Sequence, residues 1–361
     1  KTYHLLKDYQ KALEDFDRAL ELNPNYSWTY ANRGKTYYIL KKYQQAIEDY
    51  DRAIALGPDY TWAYAKRGET YRLLNEYQRA IADYDQAITL DPNYAWTYAE
   101  RGRAYRLIRE YQQALADYDH ALELDEQNAQ AYAGRGETYR LLKEYEKALL
   151  DFERALALNA KDGWSYGHRG MTYVALKDYE KALPDFNRSI ELTPAYALNY
   201  ARRGSVYLRS GMLREAQVDY ARCWELDARD IRAAWRVEWC GMCLEKEGNV
   251  PERIRRLEAI AKVAPQHHIA HLCQGVAFWL AGRYERGLAE VEMSIAIQPE
   301  VWDGYFWRAM TYACSAWERE AFEVLEQARK AGLPEALLVP LKWLEEIKPG
   351  FHERYRAWKA K

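Results

Sequence analysis

The stretch SWTYANRGKTYYILKKYQQAIEDYDRAIALGPDY, Ser27–Tyr60, is followed directly by TWAYAKRGETYRLLNEYQRAIADYDQAITLDPNY, Thr61–Tyr94. The two align without a gap at an interval of 34 residues, and the interval continues outward. Gly34, Gly68, Gly102, Gly136, Gly170 and Gly204 keep it, as do Tyr37, Tyr71, Tyr105, Tyr139, Tyr173 and Tyr207. So do Ala46, Ala80, Ala114, Ala148, Ala182 and Ala216, and the aromatic row Tyr50, Tyr84, Tyr118, Phe152, Phe186 and Tyr220. Pro24, Pro58, Pro92 and Pro194 punctuate the ends. Within a period the apolar residues fall on one helical stripe: Ala46, Ile47, Tyr50, Ala53 and Ile54 lie at i, i+1, i+4, i+7 and i+8. One such unit cannot bury its own stripe, so a fixed period of this length implies stability gained by stacking neighbours.

The Gly, Tyr, Ala, Tyr/Phe and Pro rows resemble the tetratricopeptide repeat family, whose unit is an antiparallel pair of helices. The resemblance implies an all-α, right-handed superhelical solenoid with a C-terminal capping helical segment. Six regular units occupy 27–230, and an irregular one, 231–267, carries about three extra residues near Gly248-Asn249-Val250-Pro251. Two further units fill 268–335, and 336–361 reads as closing helices. Residues 1–26 supply only part of a unit, as expected for the C-terminal arm of a larger protein. The length of 361 residues would otherwise suggest two or three globular domains at about 150 residues each.

The sequence departs from the family where the family usually has Leu before its Gly. Arg33, Arg67, Arg101, Arg135, Arg169 and Arg203 stand there, with Asp49, Asp83, Asp117, Asp151, Asp185 and Asp219 always sixteen residues later. A cation at an apolar place needs a partner, so the expectation is a salt bridge within each unit: Arg33–Asp49 and its counterparts. In unit 231–267 the expectation is that both are lost together, Val237 replacing the base and Arg256 the acid, and Arg308 has no acid at the expected place.

In arrays of this family the first helices line a concave groove. The matching places here hold Trp28, Trp62, Trp96 and Trp164, then an alanine floor, then Lys35, Arg72, Arg103, Arg106 and Arg140. Flat indoles and guanidinium groups suit a protein or peptide partner of acidic or aromatic character. A competing reading packs the tryptophans on the Tyr26, Tyr60 and Tyr94 turns and leaves the arginines solvated beside Glu69 and Glu137. The Lys/Asn set with which chaperone-binding members hold a terminal carboxylate is absent, apart from isolated Asn32 and Lys35.

Composition narrows the function further. With 52 basic and 54 acidic residues the net charge is −2, which counts against nucleic acid; a single-stranded binder stays a minor alternative. No apolar run of membrane-spanning length exists, and Lys1–Leu22 lacks the apolar core of a secretion signal. Five cysteines fit a reducing, cytoplasmic setting better than a disulfide framework. Cys240-Gly241-Met242-Cys243 followed by His267, His268 and His271 has zinc-like spacing. The repeat phase, however, places the two pairs on different helices, about two turns apart. No phosphate loop, nucleophile elbow or HExxH appears. The expectation is therefore a non-enzymatic binding scaffold with no cofactor and no metal: the sensing arm of a bacterial multidomain signalling protein, or a stand-alone scaffold bridging partners.

Overall fold

The computed structural model describes residues 8–244, 249–314, 317–333 and 349–360. These residues are helices joined by short turns, with no strand among them. They fall into two compact units, Lys1–Thr172 and Tyr173–Lys361.

Unit 1 contains α1 (Tyr9–Leu22), α2 (Ser27–Ile39), α3 (Tyr43–Leu56), α4 (Thr61–Leu73), α5 (Tyr77–Leu90), α6 (Ala95–Leu107), α7 (Tyr111–Leu124), α8 (Ala129–Leu141) and α9 (Tyr145–Leu158). Helix α10 (Gly163–Ala175) runs across the boundary. Each first helix is stopped by a residue in the left-handed region, Lys41, Asn75, Arg109 or Lys143, with φ of 60–67°. The next amide bonds back five residues, as Lys42 N does to Tyr37 O at 2.9 Å, which ends the helix and turns the chain. Pro58 and Pro92 then follow α3 and α5 and prevent them from continuing.

The two helices of a pair touch where both lack bulk. Ala46, Ala80, Ala114 and Ala148 are fully buried. A Cβ on Gly68 would stand 3.0 Å from the Tyr84 ring and 3.1 Å from the Ala80 carbonyl. Tyr50, Tyr84, Tyr118 and Phe152 fill the space beside these contacts and are also buried.

The arginine before each of these glycines has a recurring geometry. Arg33 Nε and Nη2 donate to the two carboxylate oxygens of Asp49 at 2.8 and 2.7 Å, while Nη1 donates to Asp17 of the preceding second helix at 2.7 Å. Arg67 holds Asp83 at 2.8 and 2.6 Å and Asp51 at 2.5 Å. Arg101 holds Asp117 and Asp85, and Arg135 holds Asp151 and Asp119, with every bond between 2.6 and 2.8 Å. Each guanidinium also lies over tyrosine rings, Arg67 over Tyr64 at 5.6 Å and Tyr71 at 6.0 Å. Asp51, two residues beyond Asp49, is thus a bond from one pair to the next.

Unit 2 contains α11 (Tyr179–Leu192), α12 (Ala197–Arg209), α13 (Leu213–Leu226), α14 (Ile231–Leu244), α15 (Val250–Val263), α16 (His268–Leu280), α17 (Tyr284–Ile297), α18 (Trp302–Cys314), α19 (Glu318–Lys330) and α20 (Phe351–Lys359). Arg203 repeats the clamp on Asp219 at 2.8 and 2.6 Å, with Asn187 in place of the second acid at 2.7 Å. Arg169 and Asp185 fall on either side of the unit boundary, so their pairing stays an expectation.

Two sequence expectations are corrected in unit 2. Where Val237 replaces the arginine, the acid is not lost but exchanged: Glu238 on α14 accepts from Arg256 Nε on α15 at 2.8 Å. Arg308 does have an acid, Glu292 of the preceding helix, at 3.3 Å, and Nη2 also donates to Gln327 at 2.7 Å. Both pairs were missed because the expectation followed one fixed offset and one direction of charge.

The extra residues near 248 lead into α15, where the Asn249 side chain accepts from Glu252 N at 3.1 Å and Pro251 sits in the first turn; Gly248 lies outside the described residues. The core changes character here. Trp239 meets Trp302, Phe306 and Trp307 edge-on at 5.2, 5.1 and 5.9 Å. Of the closing segment, 334–348 lies outside the described residues. Helix α20 packs Phe351, Tyr355 and Trp358 on Phe322 of α19, at 5.1–5.7 Å between ring centres.

The two halves of the clamp should separate energetically. Arg67→Ala strands the buried Asp83 and should cost about 3–5 kcal/mol. Asp51→Asn removes a half-exposed partner and should cost only about 0.2–1 kcal/mol. Denaturant unfolding of both variants checks this.

Candidate functional site

Trp28, Trp62 and Trp96 are the second residues of α2, α4 and α6. Each stacks on the tyrosine of the preceding turn: Tyr26 at 5.9 Å, Tyr60 at 6.1 Å and Tyr94 at 5.8 Å. Each also meets the preceding second helix edge-on, through Phe16, Tyr50 and Tyr84 at 6.2–6.5 Å. The turn-packing arrangement weighed from the sequence therefore exists, and the indoles remain only partly covered. Cations of the first helices lie over them, Lys35 Nζ at 6.0 Å from the Trp62 ring and Lys66 Nζ at 4.0 Å from Trp96. Trp164 has no tyrosine at its turn and stacks instead on His168 at 3.9 Å, remaining 37% exposed.

The candidate cations divide into two kinds. Arg72 is buried, its Nε 3.0 Å from Glu100 of α6. Arg140 donates through Nε and Nη2 to Glu137 at 2.7 and 2.9 Å, and His168 Nδ1 reaches the same carboxylate at 2.7 Å. Burial acts to raise the Glu137 pKa, but the bonds from Arg140 and His168 outweigh it and draw the group down to about 2. Lys66 and the Tyr38 hydroxyl both donate to Glu69, at 2.8 and 2.9 Å. Asn32 is spent on its own helix, donating to Trp28 O at 2.8 Å. Arg103 and Arg106, half-buried on α6, have no carboxylate partner among the described residues.

Three of the nine groove candidates, Arg103, Arg106 and Trp164, come together around a pocket of about 380 Å³. Its floor is Ala99, Ala133 and Gly134, with Tyr118 beneath. Lys35, Trp28, Trp62, Trp96, Arg72 and Arg140 lie elsewhere on the first helices. Sequence reading assigned Tyr118 to the stacking row and missed it as a pocket residue. The available signal was Gly134, a second glycine two residues before Gly136 that no other regular unit has at that place.

The cysteine–histidine set is dispersed. Cys240 lies buried on α14, and burial pushes its thiol up to about 12. His271 on α16 is bonded to Glu290 at 2.8 Å. Among the described residues no three His, Cys, Asp or Glu side chains gather as a metal site. All five cysteines are free thiols. No described helix is long and apolar enough to cross a membrane.

Tetratricopeptide repeat models match residues 1–26, 27–60, 68–108, 97–128, 129–162, 165–196 and 244–309. That is more than half of the chain, and the chain belongs to the tetratricopeptide repeat family. It is an all-α repeat scaffold of a kind that binds proteins and peptides. Among solved structures it is similar to PilW, described as a widely conserved type IV pilus biogenesis factor, at 19% identity over 55% of this chain and 92% of that one, with a TM-score of 0.51. It is also similar to a thermophilic repeat protein of Thermus thermophilus, TTC0263, at 23% identity over 50% and 99% of the two chains with a TM-score of 0.45. YrrB, described as having an unusual peptide-binding site, is 26% identical over 61% and 95%, with a TM-score of 0.38. These likenesses concern the fold. No curated protein matches the chain.

The Glu137 network gives a pH dependence of known sign. A carboxylate drawn down to about 2 in the folded chain stabilises it fully above the unfolded value near 4.5, and this contribution is lost as pH falls from there through about 2. It amounts to on the order of 3 kcal/mol. Urea unfolding followed between pH 5 and 2 should therefore show a shallower acid limb for Glu137→Gln than for the parent.

Proposed function

We propose that unit 1 holds a protein or peptide partner against its first helices, in a groove formed by Trp28, Trp62, Trp96 and Trp164 over a floor of small residues. The observation that carries this reading is the recurrence of partly exposed indoles at one phase above buried alanines. Ala31, Ala65 and Ala99 are 0–1% exposed, while the indoles three residues before them stay partly exposed. Aromatic flanks of this kind contribute a large share of binding energy at protein interfaces.

Charge pairing supports a polypeptide over a nucleic acid. Arg72, Arg140 and Lys66 are each neutralised by a glutamate on the same face, so a phosphate backbone running past them would meet Glu69, Glu100 and Glu137 as well. The free thiols suit a reducing cytoplasm. The Ala31-Asn32-Arg33-Gly34 pattern of the first helix resembles bacterial arrays that serve as recognition arms of multidomain signalling proteins. We read the chain as such a non-enzymatic arm.

Selection of random dodecapeptides on the whole chain, followed by titration of the synthesised winners, tests the groove. Replacing Trp62 and Trp96 together by Ala should weaken binding at least tenfold, roughly what the loss of one hot-spot side chain produces. Far-UV circular dichroism should retain the helical signal. Undiminished binding by this variant would remove the groove.

A further inference from the structure

The pocket of unit 1 is lined by two cations, Arg103 and Arg106, and neither has a carboxylate partner among the described residues. Glu100, three residues before Arg103 and in reach of it along the helix by spacing, is taken by Arg72 and by the Gln130 amide. Asp162, on the pocket wall, accepts from Trp164 N at 3.1 Å and from the Ser165 hydroxyl, which commits it to the first turn of α10. Arg106 lies 5.9 Å from the centre of the Trp164 ring, and its buried Nε has no hydrogen-bond partner among the described residues.

The floor differs from that of the other repeats. A Cβ on Gly134 would stand 2.5 Å from the Tyr118 ring and 2.6 Å from its oxygen. Asn32, Lys66, Glu100, His168 and Arg202 hold that place in the other units. The bare backbone at Gly134 therefore admits the Tyr118 phenol, which is 1% exposed and faces Arg106. Two guanidinium groups with no carboxylate partner among the described residues, one of them with its Nε unbonded, are donors around one cavity, and leaving them unanswered is unfavourable. An anionic acceptor answers them.

We propose that this pocket anchors one acidic side chain of an extended peptide partner, its carboxylate between Arg103 and Arg106 and its remaining atoms against Trp164. The assignment deepens the groove reading and rests on it. Two arginines against the committed Asp162 leave one net positive charge among the lining residues, which matches a single carboxylate. A polyanion would extend onto the glutamates on either side.

The test is a double-mutant cycle. Peptides selected on the whole chain are synthesised with acetylated and amidated ends, so that only side chains carry carboxylates. Their binding is read by fluorescence polarisation, to the parent and to the Arg103→Gln/Arg106→Gln variant. In the parent, changing the peptide's Asp or Glu to its amide should weaken binding roughly tenfold or more, the scale of one charged hydrogen bond. In the variant the same change should have no effect. Equal loss in both proteins overturns the anchor.

Thermal melting supplies a second reading. Because Arg103 and Arg106 have no acid to strand, their replacement should leave the midpoint unchanged or higher, whereas Arg72→Gln, which strands Glu100, should lower it. A drop matching that of Arg72→Gln makes the two arginines structural and overturns the proposal. Free glutarate competing as well as the peptide at equal concentration would assign the pocket to a small dicarboxylate instead. Peptides that depend on Trp62 and Trp96 but not on any acid remove the anchor and leave the groove. Failure to select any peptide that depends on those tryptophans removes both.

Discussion

A single guanidinium group holds three helices at each junction of unit 1. Arg67 lies on α4, grips Asp83 on α5 with two parallel bonds and reaches back to Asp51 on α3 with a third. A planar fork of fixed donors can do this and a lysine cannot, because an ammonium has no parallel pair to offer a carboxylate. The cation replaces what the family usually fills with an apolar side chain, and it sits between tyrosine faces that cover it. Its desolvation is offset only while both oxygens of the buried aspartate are engaged. The pair of helices and the step to the previous pair are thereby set by the same atoms.

The clamp also organises the rest of the face. With one arginine of each repeat fixed to the second helices, three further cations of the first helices are neutralised on the same face, Arg72 by Glu100 of the next first helix and Arg140 and Lys66 by glutamates of their own helices. What distinguishes the α6–α8 region is a pairing that happens elsewhere: Glu100 turns to Arg72, and Arg103 and Arg106 are left facing a cavity. Charge on this surface is set by which acid each arginine selects, not by the number of arginines in the row.

Much of the scaffold was legible because a strict period places each residue type in one environment. Gly68 has to be small where it meets Ala80 and Tyr84, and the same demand returns every 34 residues. Partners at a fixed offset were legible for the same reason, as with Arg33 and Asp49. Partners outside that pattern were not. Arg72 and Glu100 are 28 residues apart and face each other in no other repeat. Glu238 with Arg256 reverses the charges, and Arg308 uses an acid that precedes it. The tryptophan core of unit 2 follows no period at all, because Trp239 of one repeat meets Trp302 and Trp307 of another only through packing.

The sequence by itself determined that this chain is a stack of paired helices and which residues pack between them. Close helix contact tolerates only glycine and alanine, and that steric rule is written at every repeat. Only the tertiary structure decided which cations are spent and which remain available. Electrostatic partnership depends on a few ångströms between side chains of neighbouring repeats, and a list of equivalent positions cannot rank those distances. The same is true of Tyr118, whose phenol enters the pocket because Gly134 on another helix offers no side chain to exclude it.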